Sequence, residues 1–333
     1  MKYKSVIAIQ RGRPEVLQVV EKELRAPAAG EAQIKVLASG VGGTDINYRY
    51  GYSPLAPKAP FVPGYEIMGV VQAVGAGVTR VAVGDRVAAL TGQGGYAEMI
   101  YLGQEHLVKV PSSLTPADVA TLVLNYVTAW QILQRVAKVK AGDKALLIGA
   151  SGGVGTALLQ LGRLAGLKMY GTASPKKQNI LTELGATPID YHTQDFVEVL
   201  RKEEPNGLDF VFDGMGGTDI QRGMAVLRSG GKLVTYATPT GLRMMLVGLL
   251  KLLINNLRPH SKKVEFYGIT GLYIFNKKPF MQDLPLLFTL LGEGKIKPII
   301  TVRLPLLEAA KANQLLESGT VTGNIVLLAP ELL

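Results

Sequence analysis

Leu146-Leu-Ile-Gly-Ala-Ser-Gly-Gly-Val-Gly-Thr-Ala-Leu-Leu-Gln-Leu161 carries the most specific local pattern in the chain. An apolar strand runs into a glycine-rich turn, and an apolar helix leaves it. Glycines let the backbone reverse tightly and come close to a pyrophosphate, while free N–H groups at the helix start attract its charge. Ala150, Gly152 and Gly155 fill the three positions of the dinucleotide fingerprint, with Ala150 in place of the first glycine. Gly153 and Val154 complete the turn. No Gly-Lys-Ser/Thr follows, so this is not a nucleoside-triphosphate P-loop.

The next strand selects the cofactor. An NAD enzyme places Asp or Glu about 20 residues on, where it holds the ribose hydroxyls. Here the strand ends Gly171-Thr-Ala-Ser-Pro-Lys-Lys177, with no acid before Glu183. Ser174 can donate to a 2′-phosphate and Lys176 or Lys177 can neutralise it, which points to NADPH.

Outward from this unit the chain changes character. From Ala145 to about residue 270, short apolar strands alternate with helices, the pattern of a doubly wound parallel sheet. Strands are expected at Leu167–Thr172, Phe210–Asp213 and Lys232–Ala237, with helices at Val154–Leu167 and Lys176–Leu184. The first 120 or so residues are β-rich, with runs at Gln33–Ser39, Ile67–Gly75, Asp85–Leu90 and Tyr96–Tyr101 between glycine turns. Such spacing suits a small barrel or rolled sheet. Asp118 is expected to cap a helix reaching Val136. Gly323-Asn-Ile-Val-Leu-Leu328 reads as a strand returning to the first domain.

With 333 residues the chain is long enough for two domains. Having no cysteine, it has neither disulfides nor thiolate chemistry. Three histidines, His106, His192 and His260, lie too far apart to share one helical turn, and no metal site is expected. The 36 Lys+Arg against 26 Asp+Glu give +10, which favours anionic partners without choosing among them. No secretory signal is readable at Met1–Ile9 and no run reaches membrane-span length, so a cytoplasmic protein, at most peripheral to a membrane, is expected.

Between Asp219 and Glu265 there is no acidic residue, and Gly241–Pro259 sets lone cations among Met, Leu and Ile. This segment suits an apolar lid or an interface, or a weak contact with an anionic membrane. Nothing interleaves aromatic and basic residues in the manner of a specific nucleic-acid site.

The segment Gly142–Arg163 resembles the signature of quinone oxidoreductases related to zeta-crystallin, the zinc-independent branch of the medium-chain dehydrogenase/reductases. Pro63-Gly-Tyr-Glu, Val83-Gly-Asp-Arg-Val, Gly95-Tyr-Ala-Glu, Thr128-Ala-Trp and Asp213-Gly-Met-Gly-Gly match in order and spacing. The resemblance implies a chaperonin-10-like β-rich catalytic domain over residues 1–121, a Rossmann NADPH-binding domain over 122–270, and a return to the catalytic domain over 271–333. It further implies an active-site cleft between the domains and a homodimer joined by Rossmann edge strands.

The zinc-dependent branch has Cys where Gly42 stands and His where Tyr65 stands. What the resemblance leaves is metal-free hydride transfer to a small lipophilic quinone or α,β-unsaturated carbonyl. It places Thr128 against the nicotinamide, and Gly152, Val154, Ser174, Lys177 and Tyr191 near the phosphates and adenosine. Asp45, Arg49 and Gly51 fit its Asp-x-x-x-Arg-x-Gly segment, but the tyrosine two residues after that glycine is replaced by Ser53, with Tyr52 one place earlier. Tyr52 and Tyr65 are the candidate proton donors, and Asp45 and Glu66 are read as structural carboxylates.

Overall fold

The computed structural model describes residues 1–237 and 262–333. The core of the basic apolar segment, Gly241–Pro259, lies outside the described residues, and with it the lid, interface and membrane expectations. The chain divides into two compact units, Met1–Val127 with Tyr273–Leu333, and Thr128–Leu272.

The strands are β1 (Lys2–Ala8), β2 (Leu17–Glu23), β3 (Glu31–Val41), β4 (Glu66–Val74), β5 (Arg86–Leu90), β6 (Met99–Gly103) and β7 (Val108–Lys109). They continue with β8 (Lys144–Ile148), β9 (Lys168–Ala173), β10 (Ala186–Asp190), β11 (Leu208–Asp213), β12 (Leu227–Thr235) and β13 (Lys263–Phe266). The last two are β14 (Ile300–Pro305) and β15 (Asn324–Leu328).

In the first unit β3 is the spine. It carries β4 along one edge and divides the other between β6 and β15. Ala32, Ile34, Val36 and Ala38 alternate inward and are fully buried, the period-2 pattern of a strand with one interior face. The sheet runs β14-β15-β3-β4-β5-β7. The C-terminal strand therefore returns to the first unit as expected, with Leu327 opposite Ser39.

One cap differs from expectation. The helix starting at Pro116 is capped by Thr115, whose Oγ1 accepts the Asp118 N–H at 3.2 Å and donates to the Asp118 carboxylate at 2.7 Å. Pro116 explains the difference: proline suits the first helical position, so the capping residue must precede it.

In the second unit six parallel strands lie in the order β10-β9-β8-β11-β12-β13. From β8 the chain winds outward to β9 and β10, then returns to β11 on the other side. The interior is built from Leu146, Ile148, Tyr170, Val211 and Leu233 on strands, against Phe196, Leu200 and Val226. Burying side chains of this size contributes about 1.5–3 kcal/mol each.

A buried carboxylate ties the N-terminal ends of β8 and β9. Glu204 accepts from Lys144 Nζ at 2.5 Å, Lys168 Nζ at 2.7 Å and the Tyr170 hydroxyl at 2.7 Å. These donors outweigh burial and hold its carboxyl down at about 2. The depressed value stabilises the fold above the ordinary glutamate range, and that contribution is lost as pH falls toward 2. Glu204→Gln is expected to destabilise the protein by about 2 kcal/mol at pH 7. In thermal melts the gap from wild type should narrow as pH drops from 4.5.

Candidate functional site

The glycine turn leaves β8 at the sheet's point of reversal, between β8 and β11, where ligands of open parallel sheets bind at the C-terminal strand ends. Gly149 has φ +82°, a left-handed conformation that a side chain would strain. Its N–H donates to Thr172 Oγ1 at 3.1 Å, and the Ala150 N–H to the Thr172 carbonyl at 3.2 Å, so β9 fixes the turn. Ala150 is buried in the first fingerprint position and fits because its neighbour Gly171 has no side chain. A Cβ on Gly171 would stand 2.9 Å from that of Ala150.

Gly152 caps the helix Gly153–Leu164 without a side-chain acceptor. The first N–H groups of the helix have no intrahelical partner and suit an anion. A Cβ at Gly152 would meet nothing nearer than the Gly149 carbonyl at 3.8 Å, so this face of the turn is open. Gly155 differs: a Cβ there would lie 2.5 Å from both the Ala150 and Gly149 carbonyl oxygens. One glycine leaves room for a ligand, and the other lets helix and turn close on each other.

Register places the remaining expected residues. Ala173 pairs with Asp190, so Ser174 and Tyr191 leave their strands side by side at the same edge as the turn. Ser174 opens the turn Pro175–Lys177, and the Lys177 N–H donates to its carbonyl at 2.9 Å. Lys177 is half-buried, and desolvation lowers its ammonium pKa. Tyr191 is exposed and stacks on His192 at 4.5 Å. The residues that follow β9, Ser174 to Thr182, include no Asp or Glu. Thr128, in the same unit, is buried, and its hydroxyl has no hydrogen-bond partner among the described residues. Asp213 was legible only as part of a motif. It is buried at the end of β11 and accepts the Met215 and Gly216 N–H groups and the Thr235 hydroxyl, fixing the loop beside the turn. An open glycine cradle, unused N–H groups, an orphaned buried hydroxyl and a basic ribose position together fit a dinucleotide with an extra phosphate.

In the first unit the two candidate proton donors have different surroundings. Tyr65 is buried and meets Tyr48 edge-on, with centroids 5.7 Å apart. Tyr52 is 46% exposed and stacks on Tyr50. The buried polar cluster lies elsewhere. Asp45 accepts the N–H groups of Gly42 and Gly64, each at 3.0 Å, joining the start of the helix Gly43–Tyr50 to the segment before β4. Burial pushes its carboxyl up to about 6. Glu66 accepts the Leu124 N–H at 2.6 Å, and burial together with the Asp45 charge pushes it well above the carboxylate range. A Cβ on Gly40 would run into this carboxyl, so glycine is required there. The buried Tyr96 phenol, raised by desolvation, lies against Asp45 and Asn313 without reaching hydrogen-bond geometry. The structural reading of Asp45 and Glu66 agrees with these contacts.

The alcohol dehydrogenase GroES-like domain family matches residues 28–112, and a family described as zinc-binding dehydrogenase matches residues 184–327. Human quinone oxidoreductase is 30% identical over 332 residues, covering 98% of this chain and 97% of that protein. The chain belongs to the quinone oxidoreductase-like medium-chain dehydrogenase/reductases. The Escherichia coli quinone oxidoreductase structure, complexed with NADPH, shares this family's fold with a TM-score of 0.87 and 27% identity, covering 98% of this chain and 99% of that one. The rat synaptic vesicle membrane protein VAT-1 homolog is 39% identical over 213 residues, 63% of this chain. The match spans about half of that vesicle protein, 53% of its length. Both halves of the expected fold, the Rossmann sheet and the GroES-like β-rich domain, are thereby established for this family member.

Proposed function

We propose that this oxidoreductase uses NADPH to reduce quinones, or the C=C bond of α,β-unsaturated carbonyls, without zinc. The observation that carries the reading is the sheet edge where the open glycine turn lies beside the end of β9, whose following residues Ser174 to Thr182 include Lys176 and Lys177 but no Asp or Glu. The NADPH complex of the Escherichia coli relative supports the same cofactor. The main-chain N–H groups at Gly153 and Val154 would receive the pyrophosphate, Ser174 and Lys177 the 2′-phosphate, and Tyr191 the adenosine. The free hydroxyl of Thr128 is offered to the nicotinamide. Bound there, NADPH supplies a hydride, and the reduced acceptor completes its two-electron change with a proton from Tyr52, Tyr65 or water. Gly42 and Tyr65 stand where the zinc-dependent branch has Cys and His, and neither a glycine nor a buried phenol replaces that ligand pair.

NADPH oxidation on adding 1,2-naphthoquinone or 2-alkenals tests the reading. Tight NADPH binding with no turnover across a broad acceptor panel would overturn it. Lys177→Glu should raise the NADPH dissociation constant by about 10-fold or more through like-charge repulsion, and leave that of NADH within about twofold. An equal loss for both cofactors would remove Lys177 from the 2′-phosphate site.

A homodimer paired through β13, the end strand of the parallel sheet, accords with the family. The protein would work in the cytoplasm. The VAT-1 relative favours a second reading, a peripheral membrane-associated protein with weak reductase activity. No helix among the described residues is long and apolar enough to cross a membrane. Flotation with anionic liposomes at low salt is the test, and protein left at the bottom of the gradient rejects this alternative.

A further inference from the structure

We propose that Met215 is a peroxide-sensitive modification site, and that oxidation of its thioether to the sulfoxide weakens dinucleotide binding at the glycine turn. The site rests on the NADPH reading, and it lies wholly within the unit Thr128–Leu272.

The backbone around Met215 is tied down. The Gly214 N–H donates to the Ile148 carbonyl at 3.1 Å, which joins this loop to the end of β8 just before the turn. The Asp213 carboxylate accepts the Met215 N–H at 2.9 Å and the Gly216 N–H at 3.0 Å. Asp213 is fully buried and also accepts the Thr235 hydroxyl at 2.9 Å, so the anchor itself is fixed. From this support the side chain is laid against the turn. A Cβ on Gly149 would stand 3.3 Å from Met215 Sδ and 3.5 Å from its Cγ, so the thioether takes the space that residue 149 leaves empty. Met215 is nevertheless 66% exposed, and it covers the turn without being enclosed.

The chain has no cysteine, so methionine carries all of its sulfur. Among the described residues Met1 and Met215 are the exposed methionines. Met68 and Met169 are buried, and Met99, Met224 and Met281 are half-buried. Met1 belongs to the other unit, which leaves Met215 as the exposed sulfur among the described residues of the nucleotide-binding sheet's unit.

The reaction is a two-electron oxygen transfer. The O–O bond of a peroxide breaks as an S–O bond forms at Sδ. Sulfur is oxidised, the peroxide is reduced, and water or an alcohol leaves. A soft, apolar contact is thereby exchanged for a polar group whose oxygen carries partial negative charge. Beside a turn whose unused N–H groups suit a phosphate, that oxygen repels the ligand and competes for its donors. Methionine sulfoxide reductases restore the thioether, so the change is reversible.

Limited hydrogen peroxide treatment, followed by removal of the oxidant and peptide mass spectrometry, should place an added oxygen on Met215 before Met68 and Met169. Calorimetry on the same samples is expected to show the NADPH dissociation constant raised about 3- to 10-fold. The NADH constant should rise by the same factor, because the pyrophosphate is common to both. Each protein is compared with itself before and after peroxide. Met215→Leu should therefore give a ratio of about 1 whatever its starting affinity, although its other methionines still oxidise. Methionine sulfoxide reductases A and B should return the wild-type constant to its starting value. An unchanged constant with Met215 oxidised would overturn the proposal, as would an equal loss in Met215→Leu. A loss confined to NADPH would also overturn it, by moving the effect to the 2′-phosphate. Unoxidised wild type that binds no NADPH would instead reject the cofactor reading, and this site with it.

Discussion

Gly152→Ala is expected to weaken NADPH binding by about 10-fold or more while moving the thermal midpoint by only a few degrees, whereas Gly155→Ala should lose binding and stability together. The two positions are three residues apart and chemically identical, so the contrast isolates geometry. Gly152 has φ −79° and ψ 179°, extended backbone that any residue adopts, and an added methyl would meet no atom within 3.8 Å. Its effect on folding is limited to a poorer helix cap, about 1 kcal/mol. The methyl would nevertheless stand on the open face where the main chain must approach the pyrophosphate. At Gly155 the same methyl lies 2.5 Å from two carbonyl oxygens of the turn. Backbone cannot swing aside as a side chain can, so helix and turn must separate. Overpacking against two backbone oxygens lies at or beyond the top of the usual range, about 3 kcal/mol or more, and alanine's helix preference offsets only about 1 kcal/mol of it. Separation also carries the helix N–H groups away from the anion, and binding should fall about 100-fold or more. Calorimetry with NADPH and thermal melts read both effects. Wild-type affinity in Gly152→Ala would mean that the pyrophosphate does not sit on this turn.

Local chemistry was the part of the fold that could be read from sequence. The run Ala145–Ile148, the turn and the helix after it are adjacent residues whose burial, φ requirement and helix propensity act within one βα unit. The returning strand β15 was also readable, because Ile325–Leu328 is apolar and buried on both faces. Where distant pairing decides, the reading fell short. β12 begins at Leu227, five residues before the expected start, because Leu208 pairs with Leu227 while Phe210 pairs with Lys232. A bulge absorbs Arg228-Ser-Gly-Gly231, which reads locally as a turn. β1 and β2 were missed because they are joined by residues 9–16, without a short hairpin signal.

The candidate site divides along the same line. Ala150, Gly152, Gly153, Val154 and Gly155 lie in one turn, and Ser174, Lys177 and Tyr191 follow strands whose order the alternating pattern implies. The arrangement around Arg49 is different in kind. Its partner Glu317 is 268 residues away, and Asn313 lies on the same late helix, Ala309–Glu317. No periodicity or spacing joins such segments, and it is the pairing of β15 with β3 that brings the C-terminal residues to the first unit. Likewise the tyrosine pair at 50 and 52 has no strand or helix period, and its stacking depends on the left-handed conformation of Gly51.

Asp45 should make the protein more stable as pH is lowered from 7.5 to 5, the reverse of the Glu204 effect at lower pH. Its carboxyl is pushed up to about 6 by burial, although the Gly42 and Gly64 N–H groups favour the ionised form. An unfolded aspartate titrates near about 4. Between these values the folded protein holds a proton that the unfolded chain has released, so stability falls as pH rises through the window. A separation of about two pH units corresponds to about 3 kcal/mol, present below about pH 4 and lost above about pH 6. Glu66, also raised, acts in the same direction. Asp45→Asn removes the titration and keeps one acceptor oxygen, but leaves one of the two glycine N–H groups without a partner, a loss of about 1–3 kcal/mol. At pH 7.5 that loss is roughly cancelled by the absent cost of burying a charge. At pH 5, midway through the window, wild type has regained about half of that stability, about 1.5 kcal/mol, and Asp45→Asn should be weaker by that amount. Asp45→Leu, with neither acceptor, should be destabilised by about 3 kcal/mol or more at both pH values. Urea unfolding of wild type and Asp45→Asn at pH 5 and 7.5 measures the difference directly. A wild-type advantage that is the same at both pH values would show that Asp45 ionises in the ordinary carboxylate range, and that its two N–H donors outweigh its burial.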